Sequence, residues 1–195
     1  VTAIRKFVDE GGGFIGVGEP TACQHQGRYF QLSDVMGVDR EMGFSLSTDK
    51  YNTCDPHHFI LEDIDTAVDF GEGTSRIYAQ GKHYQILAQD GEYSQLVVNE
   101  YGKGHSVYFA GLPYSPQNCR ILLRAIYYAA GMPEEMKHYY VTNVDTEVTV
   151  FPETKRIAVI NNSESEQKTD LYIKGKLISE LTLAPREMRW VDDTE

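Results

Sequence analysis

The stretch GGGFIGVGEP, residues Gly11–Pro20, joins a helical pattern to a polar loop through a short apolar run. Before it, Ile4, Phe7 and Val8 have the spacing of one face of a helix. The glycines at the start of the stretch favour the left-handed conformation in which many helices end. The run FIGVG shows none of the polar alternation of a half-exposed strand and therefore predicts a strand that is covered on both faces of a parallel sheet. Helix, glycine turn and strand together predict half of a βαβ unit.

Further elements of the same domain are predicted downstream. FQLSDVMGV indicates a short helix, and GFSLS indicates a strand within a loop-rich segment. Short extended segments follow from Arg76, separated by DGEY and YGKG, whose glycines favour hairpin turns. A long helix comes next, because Ser115 and Pro116 form a start signal and the sequence GMP forms a stop.

The pattern changes after this helix. EVTVF, RIAVINN, TDLYIK and ELTLAPREMRWV are typical of strands, and no helix signal accompanies them. We therefore predict an α/β domain over residues 1–133 and a small all-β sandwich domain over residues 136–195.

The composition excludes several classes of partner. The chain has 195 residues, 29 of them acidic and 18 basic, and a net charge of -11. Nucleic acid and anionic membranes attract clustered basic residues, so we expect neither as a partner. No apolar stretch approaches the roughly 20 residues that span a bilayer, and no secretory signal is evident. Three cysteines are too few for a disulfide framework and favour a reducing compartment, so we expect a cytoplasmic protein.

A phosphate-binding loop is disfavoured in the glycine-rich stretch. Gly16 and Gly18 fit the pattern G-x-G-x-x-G, but Thr21 stands where the third glycine belongs. Pro20 also removes a backbone N–H that an anion site would use.

A nucleophilic thiol and a metal site are disfavoured as well. A nucleophile elbow places the reactive side chain directly after the strand, where this chain has Glu19, and Cys23 follows later without flanking glycines. The pairs CQH and CDPHH contain zinc-binding residue types at spacings that no standard zinc site uses. We therefore predict no metal site.

Position in the sheet points instead to a ligand-binding region. In open α/β sheets, ligands gather beyond the carboxyl ends of the strands, and Glu19, Thr21 and His25 follow such an end. The carboxylate of Glu19 could accept hydrogen bonds from paired sugar hydroxyls, or it could cap the following turn. No pair of carboxylates stands out as an acid and a base, so the residues alone indicate no catalytic centre.

The run GGGFIGVGEPTACQHQGRYFQLSDVMGVDREMGFSLSTDKYN, Gly11–Asn52, resembles the middle region of the 1,3-β-galactosyl-N-acetylhexosamine phosphorylases, also called lacto-N-biose or galacto-N-biose phosphorylases. That family's layout is similar to the one predicted here. The resemblance implies a class I glutamine amidotransferase-like, flavodoxin-like sheet domain followed by a small β-sandwich domain.

The resemblance also implies an activity. These bacterial cytoplasmic enzymes cleave β-1,3-galactosyl-N-acetylhexosamines with inorganic phosphate and inversion, giving galactose 1-phosphate and the N-acetylhexosamine, with phosphate as co-substrate and no cofactor. Their general acid and most sugar and phosphate contacts belong to an N-terminal (β/α)8 barrel. We accordingly expect no catalytic residue in this chain, which would be part of a longer polypeptide. Its expected partners are that barrel, the disaccharide and a second copy in a homodimer.

Two other functions remain open from the residues. One is a carbohydrate-associated module or a trimerisation-type module of a β-galactosidase. The other is a degenerate amidotransferase-like hydrolase that uses Cys23 or Cys54 with a histidine.

Overall fold

A computed structural model describes residues 1–25, 28–41, 53–64 and 66–193; at 22–25 and 28 only the backbone is considered. The predicted strand GFSLS, residues 43–47, lies outside this part of the chain. The chain divides into two compact units, Val1–Met132 and Pro133–Glu195.

The first unit contains helices α1 (Thr2–Asp9), α2 (Ser33–Met36) and α3 (Pro116–Ala129) and a short 3-10 helix at Phe59–Leu61. Its strands are β1 (Gly13–Val17), β2 (Ala22–His25), β3 (Arg28–Phe30), β4 (Val38–Arg40), β5 (Ile77–Ala79), β6 (Tyr84–Asp90), β7 (Tyr93–Tyr101) and β8 (Gly104–Phe109).

The main sheet of this unit has the strand order β1-β8-β7-β6. β1 and β8 are parallel, whereas β8, β7 and β6 form the predicted hairpins, with Gly102 and Gly91 in the left-handed region at their turns. The predicted strand β1 is confirmed, but its predicted burial on both faces is wrong. Among the described strands β1 lies at the edge of the sheet, and Val17 is 43% exposed.

Helices cover both faces of this sheet. Because successive side chains of a strand point to opposite faces, Tyr108 and Val107 belong to different hydrophobic clusters. Val8 of α1 packs in the cluster of Tyr108, and Ile121 of α3 packs in the cluster of Val107. The result is an α/β layer structure around a parallel strand pair.

The long helix α3 begins and ends where its signals predict. The Ser115 hydroxyl accepts a hydrogen bond of 3.0 Å from the backbone N–H of Asn118, and Pro116 occupies the first turn. Gly131 follows the helix in the left-handed conformation.

The second unit begins with the short helix α4 (Pro133–Met136) and contains β9 (Tyr139–Val141), β10 (Thr146–Phe151), β11 (Arg156–Asn161), β12 (Gln167–Ile173), β13 (Lys176–Leu183) and β14 (Met188–Asp192). These strands form two antiparallel sheets with the orders β10-β11-β14 and β13-β12-β9. Ile157 and Val159 of one sheet share a core with Leu171 and Leu183 of the other. Alternating apolar side chains thus place a core between the sheets.

No helix in the described ranges is long and apolar enough to cross a membrane.

Candidate functional site

The parallel strands β1 and β8 end at the same edge of the main sheet. The backbone N–H of Gly18 donates a hydrogen bond of 2.9 Å to the carbonyl of Phe109, and the hydroxyl of Tyr108 donates one of 2.8 Å to the carbonyl of Gly18. Gly18 has a φ of +65°, which turns the chain sharply after the strand. Glu19 is therefore presented beyond the carboxyl ends of both strands, where ligands of α/β sheets collect.

The Glu19 carboxylate is held by two side chains. One oxygen forms an ion pair with the guanidinium of Arg40, and the other accepts a hydrogen bond of 3.0 Å from the hydroxyl of Tyr29. The Arg40 guanidinium also donates a 3.2 Å hydrogen bond to that hydroxyl. We call these three residues the Glu19 cluster. The side chain of Glu19 is 39% exposed, so the cluster is open to solvent.

A buried carboxylate supports the cluster from behind. Asp39 accepts hydrogen bonds from the backbone N–H groups of Tyr29 (3.1 Å), Phe30 (2.9 Å) and Arg40 (2.9 Å). These bonds satisfy the Asp39 carboxylate, which would be costly to bury without partners. They also connect β3 to β4. The guanidinium carbon of Arg40 consequently lies 5.0 Å from the centre of the Tyr29 ring.

Neutral hydroxyl groups lie beneath the cluster. Burial raises the pKa of Tyr108, so its phenol stays protonated and donates to Gly18. Thr74 lies beside Tyr108, and the backbone N–H of Thr74 donates a hydrogen bond of 2.7 Å to the carbonyl of Ala110. The floor of the site thus joins the ends of β1 and β8.

The three candidates from the sequence differ in what the structure assigns to them. Glu19 takes part in the cluster just described instead of capping the turn. The Thr21 hydroxyl accepts a 3.4 Å hydrogen bond from the backbone N–H of Leu32 and so holds the following segment. His25 ends β2, and its side chain lies outside the described part of the structure, so its role stays a prediction.

Sequence reasoning missed Arg40, which lies 21 residues from its partner Glu19. No local pattern joins the two residues, because the side chain of Asp39 brings them together by accepting hydrogen bonds from backbone N–H groups of both β3 and β4. Tyr29 carried one weak signal, namely an aromatic residue within a polar segment.

The cluster offers one carboxylate, one cation and hydroxyl groups on the solvent side of a buried support. A carboxylate oriented by a guanidinium is suited to accept hydrogen bonds from ligand hydroxyls, and the guanidinium can donate to ligand oxygens. This combination suits recognition of a polyhydroxylated ligand.

The thiol of Cys54 is poorly suited to nucleophilic catalysis. Burial and the neighbouring Asp55 carboxylate raise the pKa of Cys54, whereas a reactive cysteine needs a lowered pKa. The nearby His57 ring directs its Nδ1 to Asp55 at 2.8 Å. In the described part of the chain, no group of three or more His, Cys, Asp or Glu side chains is placed to hold a metal ion.

Comparison with known proteins gives two matching family models. The model described as the lacto-N-biose phosphorylase central domain matches residues 1–134, and the one described as the lacto-N-biose phosphorylase C-terminal domain matches residues 139–191. The boundary between the models lies close to the division between the two compact units.

Two curated relatives are 1,3-β-galactosyl-N-acetylhexosamine phosphorylases. The protein from Lachnoclostridium phytofermentans is 52% identical over 171 residues, which cover 88% of this chain and 24% of that protein. The protein from Bifidobacterium longum subsp. longum is 34% identical, covering 97% of this chain and 30% of that protein. The chain thus spans 24% to 30% of the length of these relatives.

A solved structure shares the fold. Gan42B, a GH42 β-galactosidase from G. stearothermophilus, superimposes with a TM-score of 0.53 and 17% identity, over 97% of this chain and 29% of that one. At this identity the likeness concerns the fold alone.

Proposed function

Since this chain belongs to the lacto-N-biose phosphorylase family, we propose that it is the central and C-terminal part of an inverting phosphorylase. The enzyme cleaves β-1,3-galactosyl-N-acetylhexosamines with inorganic phosphate to galactose 1-phosphate and the free N-acetylhexosamine. The family match across both units carries this proposal, together with the 52% identity to a relative of that name. Phosphate is the co-substrate, no cofactor is needed, and the reaction takes place in the cytoplasm.

In this enzyme the chain described here supports the structure and contributes to recognition of the sugar. Inverting cleavage needs a protonated carboxyl group on the leaving oxygen while the nucleophile attacks from the opposite face. The Glu19 carboxylate is instead bound to Arg40 and Tyr29, an arrangement that suits a hydrogen-bond acceptor. We assign bond cleavage to the N-terminal (β/α)8 barrel, and we assign support of that barrel and of a homodimer to the chain described here.

The Glu19 cluster borders the sugar pocket in this proposal. Its exposed edge joins the carboxylate of Glu19 to the guanidinium of Arg40, so a sugar could donate one hydroxyl to the former and accept from the latter. The buried hydrogen bonds of Asp39 hold both strands in place, so little ordering is required when the disaccharide binds.

A module of a β-galactosidase is the second candidate, because the fold is shared with Gan42B. The two functions differ in the co-substrate. A phosphorylase releases galactose 1-phosphate only when phosphate is present, whereas a β-galactosidase releases galactose with water.

The test is to incubate the full-length protein with lacto-N-biose, with and without inorganic phosphate, and to identify the products. We expect galactose 1-phosphate and N-acetylglucosamine in the presence of phosphate, and no turnover by residues 1–195 alone. Release of free galactose independent of phosphate would refute the phosphorylase, and turnover by residues 1–195 alone would refute the assignment of cleavage to the barrel.

A further inference from the structure

The outer face of the sheet β10-β11-β14 in the second unit is apolar and exposed. Ile157, Val159 and Val191 point into the core, so the alternate residues of the same strands point outward. The outward set includes Phe151, Trp190 and Met188, which are 41%, 40% and 52% exposed. We call this surface the Trp190 face, defined by those three residues with Arg156 and Asp192.

The aromatic rings on this face are ordered against each other. Phe151 of β10 and Trp190 of β14 lie on opposite sides of β11, yet their ring centroids are only 5.3 Å apart. Ala158 of the intervening strand is therefore covered and only 1% exposed. The guanidinium carbon of Arg156 lies 4.4 Å from the centre of the Trp190 ring. Apolar side chains on both faces of a sheet indicate that both faces are covered by other structure.

Opposite charges lie side by side on the Trp190 face. Arg156 of β11 and Asp192 of β14 are cross-strand partners, and both are exposed. Within the described ranges, neither residue forms a salt bridge. The face thus offers one cation and one anion next to an apolar centre.

A sugar is a poor fit to this surface. Carbohydrate platforms use an open aromatic ring face, but the guanidinium of Arg156 already lies over Trp190 and the ring of Phe151 contacts it. Exposed Trp, Phe, Met and Arg side chains together are instead the residues enriched in protein interfaces.

We propose that the Trp190 face binds the same face of a second copy of the chain. A two-fold axis that runs along the strands between β11 and β14 exchanges these strands and keeps the rows of side chains. Arg156 of each copy then lies opposite Asp192 of the other, so the two copies are complementary in charge. Trp190 and Met188 of each copy then face β11 of the other copy in an isologous interface, as in most homodimers. This inference locates the interface of the homodimer in the proposed function. It rests on the proposed function only in assuming that homodimer.

Charge reversal tests this pairing in the full-length protein. Arg156→Asp places two acidic residues opposite each other at each of the two symmetry-related contacts, and Asp192→Arg places two basic ones there. Each variant should weaken the dimer by at least about tenfold in Kd, measured by sedimentation, because like charges in contact oppose association. The double variant R156D/D192R should restore dimerisation. An equimolar mixture of the two single variants should form heterodimers, because every contact then joins opposite charges.

Lys168→Asp is the matched control, since it makes the same change of charge on an exposed residue of the other sheet. It should leave the Kd unchanged. The proposal is wrong if both single variants keep the wild-type Kd or if the mixture fails to associate. It is also wrong if the variants lose sugar binding while sedimentation still shows the mass of the dimer. Phosphorolysis by the wild-type protein is measured separately, so failure of the enzyme assignment would leave the sedimentation result intact.

Discussion

The hydroxyl of Tyr108 lies 2.8 Å from the carbonyl oxygen of Gly18, so a buried side chain of β8 fixes the turn that follows β1. This bond joins the core of the first unit to the residue that precedes Glu19. The stability of the sheet and the position of the Glu19 cluster are therefore coupled.

Tyr108→Phe should destabilise the protein by about 1 kcal/mol, because it removes one hydrogen bond and leaves the Gly18 carbonyl without its donor. Denaturant unfolding measures the free energy change. The control is Tyr93→Phe in the hairpin of β6 and β7, which leaves the turn at Gly18 unchanged. Equal stability of wild type and Tyr108→Phe would show that the bond contributes nothing.

Asp39→Ala should cost about 3 kcal/mol or more, because three buried or partly buried N–H groups lose their acceptor together. Asp39→Asn keeps one side-chain oxygen as an acceptor and should cost less. The comparison of the two free energies of unfolding tests the assignment. A larger loss for the Asn variant would contradict the view that Asp39 acts as an acceptor of backbone hydrogen bonds.

Glu19→Gln in the full-length enzyme should raise KM for the disaccharide about tenfold, which corresponds to the loss of one hydrogen bond to a charged group. The free energy of unfolding should fall by less than about 1 kcal/mol, because the ion pair with Arg40 is partly exposed. Glu92→Gln, in the exposed hairpin turn, is the control and should change neither quantity. An unchanged KM with intact folding would reduce Glu19 to a structural partner of Arg40 and Tyr29.

His58 should make stability depend on pH. Burial lowers the pKa of His58 below its ordinary value of 6.5, and the Nδ1 atom accepts a 3.2 Å hydrogen bond from the backbone N–H of Ile60. The unfolded chain therefore binds the proton more tightly, so this contribution is complete above pH 6.5 and is lost as the pH falls below it.

His58→Asn should reduce the change of the free energy of unfolding with pH, because asparagine can accept the same backbone hydrogen bond without titrating in this range. The measurement is the free energy of unfolding between pH 5 and pH 7.5. His83→Asn, at an exposed position, is the control and should keep the slope of the wild type. The same slope in the His58 and His83 variants would place the pH dependence on other groups.

The family resemblance seen in Gly11–Asn52 is confirmed by the two family models. The helices α1 and α3, the strand β1 and the hairpin turns also lie where local patterns predict them. The amidotransferase-like assignment, the homodimer and the sugar-binding roles of Glu19, Thr21 and His25 stay predictions.

The sequence by itself determined those elements whose signals lie within a few residues of each other. The cap of Ser115 on Asn118 and the left-handed Gly131 are examples, because their energies depend on near neighbours along the chain. Only the tertiary structure decided that Arg40 binds Glu19 and that Val17 faces solvent at a sheet edge. These properties depend on which strands pair, and strand pairing is settled by burial and by hydrogen bonds between residues that are distant in the chain.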